Sequence, residues 1–209
     1  MNNAELRAFL TARSACRDAM EWLGNRDSAQ MWAECQRPDW LLWWAGQIVP
    51  RRDLVLAACD CAETALRFVP GDEHRPRLAI QTARRWAHGE ATLDEVAAAA
   101  NAANAANAAE YAAPLSARAD AYAAHAAARA AYAAAFAADL AAYAAHAAAR
   151  AAYAANAAGY AAEYAAGYYA DAAGYYADAA GYYAARSAML QLIRQRWPQC
   201  PMRVDEVAQ

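Results

Sequence analysis

Apolar residues recur at helical spacing from the start of the chain. Leu6, Phe9, Leu10, Cys16, Met20 and Leu23 fall on one stripe, the spacing of an amphipathic helix. Asn2 with Glu5 three residues later opens it as a capping box, and Gly24 closes it, so the pattern predicts a helix between them. Asp27 with Gln30 starts a short second helix through Cys35. Asp39 caps a third, WLLWWAGQIV, apolar nearly all round and therefore expected in the core. Pro50 restarts the chain. Arg51 to Phe68 is helical by pattern, with Leu54, Val55, Ala58, Cys61, Ala62, Ala65 and Leu66 on one side. Pro70-Gly71-Asp72 is a turn, and Pro76 suits the first turn of a fifth helix, RPRLAIQTARRWAH, which stops at Gly89. Thr92 with Glu95 is another capping box. No segment alternates apolar and polar residues in the manner of a strand.

From Leu93 to Trp197 the pattern changes. Alanine, the best helix former, dominates, and tyrosine punctuates it. YAAHAAARAAYAA occurs at 122–134 and again at 143–155, a recurrence of 21 residues, or three heptads. Between Tyr122 and Tyr153 the larger side chains step by 3 and 4 along one heptad stripe. GYYADAA follows at 167–173 and 174–180, with GYYAA from Gly181. One unbroken helix from Leu93 to Trp197 would be about 150 Å long, so the tract must fold back. Pro114 is the firmest break and 156–159 the next. The expected helices run to about Ala112, from about Leu115 to Ala157, and from about Tyr160 to Arg196, close-packed and antiparallel, ended by Pro198 and Pro201. Gly167, Gly174 and Gly181 share one face. The tyrosine pairs Tyr168/Tyr169, Tyr175/Tyr176 and Tyr182/Tyr183 flank it. The stripe reads either as a packing seam or as a surface of rings and hydroxyls offered to a partner, a use for which tyrosine is enriched.

Charge narrows the partner classes. The formal net charge is −3, and all 19 basic residues are arginine. Residues 1–92 carry 12 arginines and 12 acids, whereas 93–185 carry three and eight. That is not the basic stripe of a nucleic-acid binder. Asn, His, Arg, Asp or Glu interrupts the alanine tract every few residues, which excludes a membrane span. Five cysteines without regular spacing give no disulfide framework. The amino-terminal residues show no signal-peptide pattern, and the expected compartment is the cytoplasm.

Candidate chemistry is sparse. On one helix His125 and His146 would lie about 31 Å apart and cannot share a metal ion. Cys59 and Cys61 lack a second ligand pair and read as small buried hydrophobes. No metal and no cofactor is expected, and no catalytic residue is assigned. Asp60 and Glu63 stand one turn apart and suit an acid/base pair, but an ion pair to Arg84 or Arg85 of the next helix is the commoner fate of such residues. The densest polar cluster, residues 72–77, puts Arg75 and Arg77 at a helix start, where free backbone N–H groups favour an anion, but a solvated turn with local salt bridges is the favoured reading.

At these residues the chain resembles a known group. LVLAACDCAETALRFV at 54–69, DEHRPRLAIQTARRWAHGEATLDEV at 72–96, and DWLLWWAG at 39–46 are similar to bacterial immunity proteins of polymorphic toxin systems, the immunity-family-five-like group. Beyond residue 97 the likeness is one of composition. The resemblance implies a small cytoplasmic protein that neutralises a cognate toxin by binding it. Asp60, Glu63, Arg75, Pro76, Arg84 and Gly89 lie in the matching motifs, and the resemblance assigns them no role.

The expected fold is all-α. A Trp-rich helical part, 1–92, is followed by an Ala/Tyr-rich repeat part packed on it, 93–197, and a tail, 198–209, the first two forming one domain. The leading function is non-enzymatic binding of a protein toxin, through Tyr168, Tyr169, Tyr175, Tyr176, Tyr182 and Tyr183 or through the turn at 72–77. A second reading is a helical pocket of Trp40, Trp43, Trp44, Arg75 and Arg84 holding an anionic small molecule such as a nucleotide. A third is a helical protein that self-assembles into oligomers through its alanine–glycine seams.

Overall fold

The structure, a computed structural model, describes residues 1–69, 71–110, 130–131 and 171–201. Among these residues all regular structure is helical. In chain order the helices are α1 (Asn3–Ala12), α2 (Arg17–Leu23), α3 (Ser28–Glu34), α4 (Pro38–Ala45), α5 (Arg51–Glu63), α6 (Arg75–His88), α7 (Leu93–Glu110) and α8 (Asp171–Arg196), with a 3-10 turn at Leu66–Phe68.

The amino-terminal stripe makes two helices rather than one. Asn2 and Glu5 form the expected capping box, but α1 ends at Ala12. Ser14 takes the left-handed conformation, φ 57°. The Ser14 N–H then donates to the Thr11 carbonyl and the Ala15 N–H to the Leu10 carbonyl, each at 3.1 Å. This is a Schellman closure with serine where glycine is usual. At the far end of α6 the same closure uses Gly89, φ 85°, and there helix and stop match the sequence reading residue for residue. Three further boundaries differ. α4 starts at Pro38 rather than after Asp39, because proline needs no N–H partner in the first turn, and it ends at Ala45 rather than running on to Val49. α5 stops at Glu63 and the chain reaches Phe68 through the 3-10 turn.

α5 is the centre of the core. Leu54, Val55, Ala57, Ala58, Cys59, Cys61 and Ala62 are all buried, on almost every side of the helix. It packs against α4, α6 and α8. On α6, Ala79, Ala83 and Ala87 make a buried stripe of small residues at steps of four, and α7, which packs against α6, buries Val96, Ala100 and Ala103. Two alanine faces allow approach at the short end of the usual 8–10 Å between helix axes. The α7 capping box forms as expected, with Thr92 N–H donating to Glu95 Oε2 at 2.7 Å and Glu95 N–H to Thr92 Oγ1 at 3.2 Å.

α8 brings the end of the alanine–tyrosine tract back to the amino-terminal helices. It runs unbroken through Gly174 and Gly181 and ends at Arg196. Ala185, Met189, Leu190 and Ile193 bury one stripe, and the helix lies against α4 and α5. Arg194 Nη2 donates to the Trp32 and Cys35 carbonyls at 3.1 and 2.7 Å, and Trp32 Nε1 donates to the Trp197 carbonyl at 3.1 Å. The two Arg194 bonds cap the open end of α3 across more than 150 residues of sequence. Ala130 and Ala131 are also fully buried in the core. The expected break at Pro114, the long helix to Ala157, the histidine pair and the antiparallel repeat otherwise lie outside the described residues.

Candidate functional site

Two places gather the side chains that carry chemistry. The first is the junction of α5, α6 and α8. Asp60 and Glu63 occupy successive turns near the end of α5. Arg84 Nη2 donates to Asp60 Oδ1 at 2.9 Å and to Glu63 Oε2 at 2.5 Å. Arg196, from the last turn of α8, donates to the other Asp60 oxygen at 2.7 Å. The ion pair favoured from the sequence is therefore present, and Arg196 joins it from a residue the sequence reading did not single out. Both oxygens of Asp60 hold a guanidinium, so its chemistry goes into tying three helices together. Beneath it, burial pushes the Cys59 thiol up to about 12 and raises Cys61 further. Both are inert apolar wall, as thiols in apolar surroundings are.

The turn before α6 closes on itself in the same way. The Arg75 guanidinium pairs with Glu73, Nε lying 2.9 Å from Oε1, and the same carboxylate accepts the Arg75 backbone N–H at 2.8 Å. Arg75 holds the Glu73 carboxyl below its ordinary value. The local salt bridge favoured from the sequence is therefore present, and Glu73 occupies the position at the start of α6 that an exogenous anion would take. Arg77 is exposed two residues on.

The second place is the corner where α1, α2, α3 and α4 meet. It encloses a cavity of about 350 Å³. Leu10, Leu23, Met31 and Trp44 form its buried floor, and Trp22, Trp40 and Trp43 are half-buried walls. The Trp22 and Trp40 rings lie 5.9 Å apart, tilted by 59°. A guanidinium covers each, Arg26 at 4.5 Å over Trp22 and Arg37 at 4.6 Å over Trp40. Such stacks are electrostatic attractions between a cation and the ring's negative face. Phe9 supports Trp44 from behind, with centroids 5.0 Å apart. At the rim Arg37 and Asp39 form a bidentate pair, Nε to Oδ1 at 2.9 Å and Nη2 to Oδ2 at 2.6 Å. Burial raises the Cys35 thiol, which keeps its proton and lies 3.6 Å from the Arg37 carbonyl.

The expected pocket is therefore divided. Trp40, Trp43 and Trp44 do line one cavity, but Arg75 and Arg84 do not belong to its lining; both are held by carboxylates elsewhere. Arg37 and Asp39 are the charged groups at the rim. The sequence carried one signal for this, five tryptophans within the span from Trp22 to Trp44, but not which rings would converge.

Of the six tyrosines proposed for partner contact, Tyr168 and Tyr169 lie outside the described residues. Tyr175 and Tyr176 are in the first turns of α8, one heptad before Tyr182 and Tyr183. Tyr183 is 62% exposed. Tyr182 is half-buried, 5.8 Å from the Tyr183 ring and 5.3 Å below the Arg186 guanidinium. Among the described residues no group of His, Cys, Asp and Glu is arranged to hold a metal ion, and no helix is long and apolar enough to cross a membrane.

The chain matches no family model, and neither a curated protein nor a solved structure shows a significant match to it. The likeness of residues 39–96 to immunity proteins accordingly rests on the quoted motifs alone.

Proposed function

We propose that this chain is a binding protein without a catalytic centre, and that its partner is a cognate toxin that it neutralises by direct contact. The observation that carries this reading is the exposure of Tyr183. A large aromatic residue on the repeat's heptad register lies 62% open to solvent, although alanine would serve a packing seam at lower cost. Exposed tyrosine brings area, a ring face and a hydroxyl with little side-chain entropy to lose. Arg186 over Tyr182 and the Tyr182–Tyr183 edge contact hold this part of the surface in place. The most acid/base-like residues, Asp60 and Glu63, support the same reading, because they are engaged in joining helices.

The test is protection and binding. The full chain, co-expressed with a toxin domain encoded beside its own gene, should restore growth and co-purify as a stable complex. Tyr183→Ala with Tyr176→Ala should weaken the complex about tenfold or more, the loss expected for interface aromatics. Undiminished binding by that double variant removes the tyrosine face. Failure to protect against any toxin domain encoded there removes the immunity reading.

A further inference from the structure

We propose that the tryptophan-walled cavity between α1, α2, α3 and α4 is a binding site for a neutral, apolar aromatic small molecule of two or three linked or fused rings. The site is independent of the toxin-binding reading and uses none of its tyrosines.

Four observations point to that ligand class. The first is size. The volume of about 350 Å³ lies within the range of roughly 300–1,000 Å³ found for ligand pockets. The space survives although it is lined by large residues from four helices. The second is the wall. Trp22, Trp40, Trp43 and Trp44 supply ring surface, and Leu10, Leu23 and Met31 supply aliphatic surface. This matches a pocket in which apolar contact gives affinity and a few polar groups set orientation.

The third observation is charge. The charged groups in the lining are Arg37 and Asp39, and they satisfy each other through two hydrogen bonds. A cation entering here meets the Arg37 guanidinium and an Asp39 carboxylate already occupied. An anion must take Arg37 from Asp39 and from the Trp40 ring. A neutral ligand disturbs neither, and so avoids leaving a partly buried charge unpaired. The fourth is the entrance. Ser14, Cys16 and Arg37 are the exposed members of the lining. Ser14 holds the α1–α2 connection in the left-handed conformation. A helix continuing past Ala12 would not make this turn, so the closure at Ser14 shapes the mouth of the cavity.

The probe is N-phenyl-1-naphthylamine, a neutral fluorophore of a naphthalene linked to a phenyl ring and excited by tryptophan emission, titrated into the full chain. We expect saturable one-to-one binding with quenching of tryptophan emission and sensitised probe fluorescence. Ala19→Phe, which extends a ring from the cavity wall, should weaken binding about tenfold or more while leaving the circular dichroism spectrum unchanged. Cys16→Phe at the exposed mouth gives the same reading if Ala19→Phe does not fold. An anionic relative, 1-anilinonaphthalene-8-sulfonate, should bind more weakly than the neutral probe. Non-saturable uptake, or equal affinity in the filled and unfilled proteins, overturns the site. Tighter binding of the sulfonate overturns the neutral class of ligand.

Discussion

The junction of Asp60, Arg84 and Arg196 and the corner around Trp44 are built from the residues that most invite a functional reading, and they have opposite outcomes. At the junction, helices α5, α6 and α8 bring three charged side chains together until both oxygens of Asp60 are occupied. At the corner, helices α1 to α4 bring four indoles together and leave a space of about 350 Å³. Charge is short-ranged in its demands: a partly buried carboxylate must find a partner close by or lose its charge. Ring surface makes no such demand, and its rigid shapes can leave a gap. A cluster that looks reactive in a sequence can thus be the one already satisfied, and a cluster that looks like core can be the one still open.

The largest effect that would sharpen this contrast is within the corner itself. Trp44→Ala removes a floor residue that is 2% exposed and should cost about 3–5 kcal/mol, as buried aromatic truncations do. Trp43→Ala removes a half-buried wall beside existing space and should cost about 1–2 kcal/mol by the same scale. Urea midpoints of the two variants test the difference; equal losses would mean that the cavity is not a distinct space.

At the junction, Asp60→Ala leaves Arg84 and Arg196 without their shared carboxylate and should destabilise by about 2 kcal/mol, discounted for partial exposure. Arg84→Ala in the Asp60→Ala background should then cost less than Arg84→Ala alone. Additive losses in that double-mutant cycle would show that the network is not a unit.

The buried thiols beside the junction set an alkaline limit. Their folded-state values are raised, so the folded protein holds these protons more tightly than the unfolded chain does. The stability this contributes is complete below the ordinary cysteine value and is lost as pH rises toward the raised one, about 12 for Cys59. Stability should therefore fall above pH ~9 by up to about 1.4 kcal/mol per pH unit for each thiol. Cys59→Ala should flatten part of that slope. Thiol reagents under native conditions should label exposed Cys16 well before Cys35, Cys59 or Cys61.

The smallest effects compare the two Schellman closures. Gly89→Ala places a side chain in a left-handed position with open space around it and should cost about 1 kcal/mol. Ser14→Gly relieves the same strain at the mouth of the cavity and should be neutral or stabilise by up to about 1 kcal/mol. Thermal unfolding resolves the two signs, and a destabilising Ser14→Gly would show that the serine side chain contributes to the loop.

These closures also show what was legible. Gly89 could be read as a stop because glycine is the residue that takes positive φ freely. Ser14 could not, because the apolar stripe continues through Cys16 and Met20 and nothing about serine announces a left-handed residue. The capping boxes at Asn2, Asp27 and Thr92 were readable for the same local reason as Gly89: both halves lie within four residues. The pairing of Asp60 with Arg84 was readable as a neighbour-helix contact, but Arg196, 136 residues away from Asp60, was not.

The sequence by itself determined that the described chain is helical and where most helices start and stop. Alanine propensity, apolar spacing and capping residues act over one or two turns, and each is complete in the local sequence. Tertiary structure alone decided that α8 returns to α3, α4 and α5, that Arg37 rather than Arg75 or Arg84 accompanies the tryptophans, and that Trp22, Trp40, Trp43 and Trp44 enclose a space. Those outcomes depend on which helix faces meet and on how rigid rings fit once they do. Convergence of that kind is a property of the packed chain, with no counterpart in local spacing.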